Sequence, residues 1–360
     1  MNKIDRYLTA ALKQNSSDLH FVSGDPARSR IHGILKILSP ELLSIESVQE
    51  AMSEIMDGKS KKAFEEDDAA DFAYEIPDVS RFRVNTFRHL NGIGAIFRAI
   101  PSKALSLDEL DMPKAIRQLC RNTQGMILVT GKTGSGKSTT LAAMVDELNQ
   151  TMKGHILTIE DPIEFVHKAK SCLISQREIG LHTPTFADAL RSALREDPDV
   201  ILVGEMRDLE TISIAVTAAE MGILVMGTLH TNGAAQTIDR IINSFPADKQ
   251  SHIRTMISTS LRGVVSQQLL PTIHRPGRAA ALEIMINTPA VSNLIRQGKL
   301  DQLETAMQSG GGVGMKTMDN ALMELVDKGW VSGREAYLQA NNKHKFEQVK
   351  EQAKQAKDIE

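Results

Sequence analysis

The sequence predicts an α/β protein with two domains, a small α+β domain followed by a larger domain built on a mainly parallel sheet. A glycine-rich run of the pattern GxxxxGK[ST] at 131–138 stands between an apolar segment and an amphipathic segment, as a strand, a loop and a helix would require. Strand-like and helix-like segments alternate after residue 113, which is typical of a parallel sheet. The 360 residues are also enough for two separate cores.

Residues 1–100 are predicted to form the α+β domain. Its clearest signal is a hairpin, because residues 81–85 alternate strictly and Asn91-Gly92 is a favoured turn pair. Arg81 and Arg83 would share one face of the first hairpin strand, which is either a solvated sheet surface or a binding surface. The other predicted elements are a strand at 17–21, a strand at 30–38 with Gly33 inside it, a helix at 47–64, and the return strand of the hairpin at 93–100.

Two prolines flank a polar stretch with little periodicity, and residues 101–113 are therefore predicted to be a linker. The second domain, at 114–290, would follow as an α/β core. A mostly helical region at 291–360 would complete the chain, with a glycine-rich break at 310–314 and a charged tail that frays after Lys343. The predicted core elements are a helix at 114–120, a strand at 126–129, a helix with Leu141, Met144, Val145 and Leu148 on one side, a strand at 155–159, a helix at 186–195 capped by Thr185 with Asp188, and strands at 200–203 and 223–229.

The glycine-rich run predicts a phosphate-binding loop. Glycines let the backbone N–H groups close around phosphates, and the start of the following helix faces the anion with its positive dipole end. Lys137 would contact the outer phosphates and Ser138 would bind Mg²⁺, so ATP and Mg²⁺ are the expected ligands. The residues expected to contact nucleotide are Gly131, Thr133, Gly134, Ser135, Gly136, Lys137, Ser138 and Thr139.

Acids or an imidazole follow three of the predicted strands. Glu160, Asp161 and Glu164 follow one strand, Glu205 follows another, and His230 a third. Ligands of an open parallel sheet bind at the carboxyl ends of its strands, so these side chains are expected to surround the nucleotide. Phosphoryl transfer needs a metal holder, a group that orients water, and positive charge. The acids would hold Mg²⁺ and orient the attacking water, with Glu205 and Ser138 near the metal.

The positive charge is less well supplied within the second domain, although Arg207 lies near the site in sequence. The arginine face of the first domain has no evident partner in its own domain. We therefore expect Arg81 or Arg83 to be offered in trans to a neighbouring subunit, as an arginine finger.

Composition narrows the classes of partner. A formal net charge of −3, with no basic tract and only one Trp and three Tyr for base stacking, disfavours nucleic acid. The two cysteines lack the spacing of a zinc site and suggest a reducing compartment. No apolar run has the length of a membrane span and no signal-peptide core is visible, so a cytoplasmic protein is expected, with any membrane contact made through a partner.

Four runs, at 158–167, 193–199, 203–211 and 227–231, resemble the aspartate box, Walker B and histidine box of secretion-superfamily ATPases. Within that superfamily the chain is similar to the type IV pilus retraction ATPases, and the similarity extends through 17–20, 80–85 and 314–319. The resemblance implies a PAS-like first domain, a RecA-like second domain and a homohexameric ring with nucleotide between the domains. It also implies hydrolysis that drives pilin depolymerisation and twitching motility, at an inner-membrane platform protein on the cytoplasmic face of the membrane.

The resemblance also implies residue roles. Glu164 matches the catalytic glutamate that polarises water, Glu205 the Walker B acid near Mg²⁺, and His230 the histidine that senses the nucleotide state. Arg81, Arg83 and Arg98 match arginines presented by the first domain. Lys137 completes the expected catalytic set.

Two segments depart from the family pattern. Residues 290–297 read AVSNLIRQ where retraction ATPases usually have AIRNLIRE, and Met221 and Ile223 replace a threonine and a histidine. These departures keep a paralogue with an altered or auxiliary role open as an alternative. A nucleic-acid translocase and a non-hydrolysing partner of another motor are further alternatives.

Overall fold

The computed structural model describes residues 2–31, 34–77, 79–100, 104–274 and 277–350. The chain divides into two compact units. The first comprises Met1–Lys103 together with Glu164–Val166, and the second comprises Ala104–Ile163 and His167–Glu360.

The first unit contains an antiparallel sheet with helices packed on one face. The sheet order is β3-β2-β1-β6-β5-β4. Alternation along the strands places Leu19, Phe21, Phe82 and Phe97 in the core beneath the helices. The elements in chain order are α1 (Asp5–Lys13), β1 (Asp18–Val22), β2 (Pro26–Ile31), β3 (Ile34–Leu42), α2 (Ile45–Ile55), α3 (Gly58–Asp67), β4 (Ala69–Ile76), β5 (Ser80–His89) and β6 (Gly92–Ile100).

The hairpin of β5 and β6 confirms the predicted hairpin, but its turn residues are Leu90 and Asn91, one position earlier than the predicted pair, because Gly92 already pairs with His89. Two other predictions were wrong. The segment 30–38 is not one strand, because the chain reverses between β2 and β3, which pair antiparallel; Gly33 lies outside the described residues. The segment 47–64 is two helices, because Asp57 accepts the N–H of Ser60 at 2.7 Å and so begins a second helix.

The second unit is built on a seven-stranded sheet in the described part of the chain, with the order β13-β12-β7-β11-β10-β8-β9. All neighbouring strands are parallel except β12 and β13. The elements in chain order are α4 (Lys114–Leu119), β7 (Gly125–Thr130), α5 (Lys137–Thr151), β8 (His155–Glu160), β9 (Leu173–Glu178), α6 (Phe186–Ala193), β10 (Val200–Val203), α7 (Leu209–Glu220), β11 (Leu224–Leu229), α8 (Ala234–Asn243), α9 (Gln250–Ser260), β12 (Leu261–Pro271), β13 (Arg278–Ile286), α10 (Pro289–Gln297), α11 (Leu303–Ser309), α12 (Met318–Asp327) and α13 (Gly333–Gln339).

Helices cover both faces of this sheet, and β7 shows how. Met126 and Leu128 pack in one hydrophobic cluster with α6 to α10, while Ile127 and Val129 pack in another with α4 and α5. A parallel strand buried on both faces is expected to be an almost continuous apolar run. All six residues of β7 are buried, and Met126 to Val129 are apolar. The predicted α/β class with a mainly parallel sheet is therefore confirmed.

Three strands of the second unit, β9, β12 and β13, are absent from the sequence prediction. Of the predicted linker 101–113, residues 101–103 lie outside the described residues, while Ala104 and Leu107 are buried in the second unit. The tail expected to fray after Lys343 begins with a 3₁₀ turn, Lys343–Phe346, and Phe346 is fully buried against α12 and α13. Residues 351–360 lie outside the described residues.

Candidate nucleotide-binding site

The glycine-rich loop joins β7 to α5 and has the shape of an anion cradle. Gly131, Gly134 and Gly136 have φ angles of +142°, +79° and +89°, in the region that favours glycine. A Cβ at Gly136 would lie 2.6 Å from the amide nitrogen of Gln267, so the loop has no room for a side chain there. No side chain caps the N-terminus of α5 at Gly136, so the first backbone N–H groups of this helix can bind a ligand.

Lys137 lies over this loop and is buried, with 9% of its surface exposed. Its ammonium group donates to the backbone carbonyls of Gly131 at 2.9 Å and Lys132 at 3.2 Å. The Lys137 ammonium group therefore lies against the start of the loop, where an outer phosphate would bind.

The hydroxyls of the loop differ in their surroundings. Ser135 is buried, and its hydroxyl has no hydrogen-bond partner within the described ranges. A buried hydroxyl of this kind is rare without a ligand or a water, so it fits a bound polyphosphate. Ser138 and Thr139 are half-buried and Thr133 is exposed. Ser138 offers a hydroxyl oxygen, the kind of ligand that Mg²⁺ prefers.

The ends of β10 and β11 bring two of the predicted residues together. His230 Nε2 lies 2.9 Å from Glu205 Oε1, and Arg207 donates to Glu205 Oε2 at 2.6 Å. Burial acts to raise the pKa of Glu205, but the Arg207 hydrogen bond and the charges of His230, Arg207 and Lys137 outweigh it, so the pKa falls below its ordinary value. Glu205 therefore carries a negative charge near the lysine of the loop.

The three acids that follow β8 have different surroundings. Glu160 accepts a hydrogen bond from the Thr158 hydroxyl at 2.7 Å and from the Gln176 amide at 3.2 Å, so it faces the neighbouring strand β9. Asp161 is close enough to Arg207 to help raise the pKa of that guanidinium, after the larger effect of Glu205. Glu164 is exposed and belongs to the segment that groups with the first unit. Its approach to the phosphate loop stays a prediction.

Gln267 is a site residue that the sequence analysis missed. This side chain of β12 is 3% exposed, and its carbonyl oxygen accepts the Thr140 hydroxyl at 2.7 Å, in the first turn of α5. Its backbone and its amide nitrogen lie against Gly131 and Gly136. Gln267 therefore supports both ends of the phosphate loop. The one available signal was a Gln-Gln pair within an otherwise apolar run, which nothing linked to the loop.

The predicted arginines lie on one face of the first unit's sheet. Arg83 is directly opposite Arg98, and Arg81 is two residues from Arg83 on β5. The expectation that this face lacks partners in its own domain was wrong. Arg98 donates to Asp18 at 2.9 Å, and Arg83 lies 3.7 Å from Asp71.

The donor set fits a nucleotide polyphosphate better than a metal bound by protein alone. Among the described residues, no group of three or more His, Cys, Asp or Glu side chains is arranged to hold a metal ion. Mg²⁺ commonly takes one or two protein oxygens together with substrate phosphates and waters, and Ser138 and Glu205 could supply such oxygens. In the described part of the chain, every helix is too short or too polar to cross a bilayer.

Several known proteins are similar to this chain over nearly its whole length. The type IV pilus retraction ATPase PilT of Pseudomonas aeruginosa is 51% identical over 343 residues, which is 95% of this chain and 99% of the relative. A twitching motility protein of Neisseria gonorrhoeae is 50% identical over 91% of this chain and 89% of its own. A crystal structure of the pilus retraction motor PilT with bound ADP superposes with a TM-score of 0.90 at 42% identity, covering 97% of this chain and 99% of that one.

Residues 1–355 match the family described as Type II/IV secretion system protein. Both the sequence similarity and the structural similarity extend over both units. The chain therefore belongs to the Type II/IV secretion system protein family, within which it is similar to the PilT-type retraction ATPases.

Proposed function

We propose that this chain is the subunit of an ATP-hydrolysing motor that powers the retraction of type IV pili. One observation carries the proposal: Lys137 of the phosphate loop is close enough to interact electrostatically with the Glu205 carboxylate, which His230 contacts at 2.9 Å. A polyphosphate cradle beside a charged acid is what phosphoryl transfer requires. The retraction ATPase and the twitching motility protein that are about half identical to this chain support the choice of ATP hydrolysis and of pilus retraction.

The loop amides and Lys137 bind the phosphates of ATP and orient the terminal phosphorus. Ser138 and Glu205 would hold Mg²⁺, and the bound ion would neutralise the charge that builds up on the phosphate oxygens. Glu164 orients a water molecule and accepts its proton. The water oxygen bonds to the terminal phosphorus as the bond to the ADP oxygen breaks, which releases ADP and inorganic phosphate.

His230 reports the state of the site, because it shares the Glu205 carboxylate with Arg207 and must respond when that carboxylate changes partner. Arg81, Arg83 and Arg98 are the proposed arginines in trans. Since Arg98 and Arg83 have acidic partners in their own unit, each must exchange that partner to reach a phosphate. Both partners of the Arg83–Asp71 pair are exposed, and such pairs contribute on the order of 0–1 kcal/mol, so Arg83 can exchange its partner at little cost. Asp18 is buried, so releasing Arg98 from it costs more.

The assembly we propose is a homohexamer that acts on a platform protein of the inner membrane from its cytoplasmic side. In it, a PAS-like domain (1–100), a linker (101–113), a RecA-like core (114–290) and a helical C-terminal region (291–360) form each subunit. The altered 290–297 segment, at α10, favours one second candidate, an auxiliary paralogue that supports a main retraction motor.

Complementation of a retraction-deficient cell tests the proposal. The wild-type chain is expected to restore twitching, and Lys137→Ala is expected not to. Lys132→Ala is the matched control, since this lysine belongs to the same loop but its side chain is exposed. Twitching that returns only when a main retraction ATPase is also present would favour the auxiliary role. Full rescue by Lys137→Ala would contradict the proposal.

A further inference from the structure

A buried carboxylate on β13 is not used by the mechanism above. Glu283 is 4% exposed and lies in a strand whose neighbours Leu282 and Ile284 are buried and apolar. Its two oxygens accept backbone N–H groups, from Ala234 at 2.7 Å and from Met318 at 3.2 Å. A buried acid needs such donors, because without them the cost of removing it from water is large.

Both donors are the first residues of helices. Ala234 begins α8, which has no side-chain cap of its own, and Met318 begins α12. Helix N-termini carry N–H groups without partners and a partial positive charge, and a carboxylate satisfies both. Glu283 therefore ties two helices of different parts of the second unit to one point on the sheet.

The segment before α8 is held at the same point. Ser266 is the cross-strand neighbour of Glu283, and its hydroxyl accepts the N–H of Gly233 at 2.8 Å. Gly233 has a φ of +102°, and a Cβ there would lie 3.3 Å from the Glu283 carboxylate. Only two residues, Thr231 and Asn232, lie between His230 and Gly233, so a movement of His230 must be taken up by them or passed on to Gly233.

We propose that Glu283 is a positioning residue that links the strand end carrying His230 to the start of α12. The inference rests on the proposed function, because it needs hydrolysis at the phosphate loop to drive His230. When His230 shifts with Glu205, the Gly233 and Ala234 N–H groups move with it and displace their acceptors, Ser266 and Glu283. The Glu283 carboxylate, which also accepts the Met318 N–H, then transmits the shift to α12. The helices of the C-terminal region then follow the nucleotide state.

Asp319 provides a matched control for Glu283. It is 3% exposed and accepts two backbone N–H groups, from Asn341 at 2.8 Å and Asn342 at 2.9 Å. It is a carboxylate buried to the same degree as Glu283, but it is the second residue of α12 and its partners lie in the C-terminal region and not near His230. Glu283→Gln and Asp319→Asn each keep the side-chain size and remove the charge.

The experiment compares melting temperature, ATP dissociation constant and kcat for the wild type and the two variants. Both variants should melt at lower temperature and bind ATP as the wild type does, because the phosphate loop is untouched. Glu283→Gln alone should lower kcat about ten-fold, the effect of losing one hydrogen bond to a charged group. Gln keeps one acceptor oxygen, so amide exchange should rise at the one of Ala234 and Met318 that loses its acceptor.

An unchanged kcat for Glu283→Gln, or an equal loss of kcat in Asp319→Asn, would overturn the inference. If Glu283→Gln does not fold, Ser266→Ala is the second test, because it removes only the acceptor of the Gly233 N–H. A lower kcat with unchanged ATP affinity in this variant would support the connection between His230 and α12. An unchanged kcat would overturn it. A wild-type protein that hydrolyses no ATP would instead remove the proposed function itself.

Discussion

Gly131 offers the sharpest test of the loop geometry. An alanine methyl at this residue would lie 2.6 Å from the Ser135 hydroxyl and closer still to the backbone carbonyl of Gln267. That carbonyl belongs to β12, which is held between β7 and β13, so the loop must move rather than the strand. The φ of +142° adds strain, on the order of 1–3 kcal/mol for a side chain in such a region.

A shift of about half an ångström stretches a hydrogen bond of about 2.9 Å beyond useful length. One lost hydrogen bond to a charged phosphate is worth about 1.5–3 kcal/mol. Gly131→Ala should therefore bind ATP roughly ten- to hundred-fold more weakly than the wild type. Titration of the protein with a fluorescent ATP analogue measures this directly.

Gly180→Ala is the control for backbone strain alone. Gly180 has a φ of +79°, lies outside the loop, and has no atom within 4 Å of an added Cβ. Both variants should melt at lower temperature, but Gly180→Ala should keep the affinity of the wild type. Wild-type affinity in Gly131→Ala, with the same loss of stability in both, would refute the reasoning.

Three further predictions concern single side chains. Gln267→Ala leaves the buried Thr140 hydroxyl without its acceptor, so it should cost about 1–3 kcal/mol of unfolding free energy in urea titration and also weaken ATP binding; a variant as stable as the wild type would contradict this support of the loop. Arg207→Ala should raise the pKa of Glu205, because it removes a hydrogen bond and a positive charge from this carboxylate. The stability that the Glu205 charge contributes is present above its unfolded pKa and is lost as pH falls through its folded pKa, so thermal melts of the variant should show acid destabilisation beginning at higher pH. Acid destabilisation at the same pH in both proteins would contradict the Arg207–Glu205 interaction. Burial raises the pKa of Cys120 to about 12, so iodoacetamide at neutral pH should label its peptide only after denaturation, as read by mass spectrometry; rapid native labelling would show that the thiol is not buried.

The sequence predicted features whose signals are local. The phosphate loop, its flanking strand and helix, and the hairpin of β5 and β6 all depend on residues a few positions apart. The closeness of Glu205 and His230 also followed, because parallel strands end at one edge of a sheet.

The remaining features depend on partners far away in the chain. Gln267 supports a loop that lies more than a hundred residues earlier, and Glu283 accepts N–H groups from helices on either side of it in sequence. No periodicity reports such contacts. The acidic partners of Arg83 and Arg98 were missed for the same reason, since strand register decides which charges face each other.

The central claim is that polyphosphate binds against the loop amides beside Lys137 and is hydrolysed there. Steady-state release of inorganic phosphate from ATP by the wild type and by Lys137→Ala tests it most directly. We predict turnover by the wild type that depends on Mg²⁺ and falls at least about a hundred-fold in the variant, in keeping with the loss of a preorganised charge at the transferring phosphate. Equal turnover by the two proteins, or no turnover by either, would contradict the account.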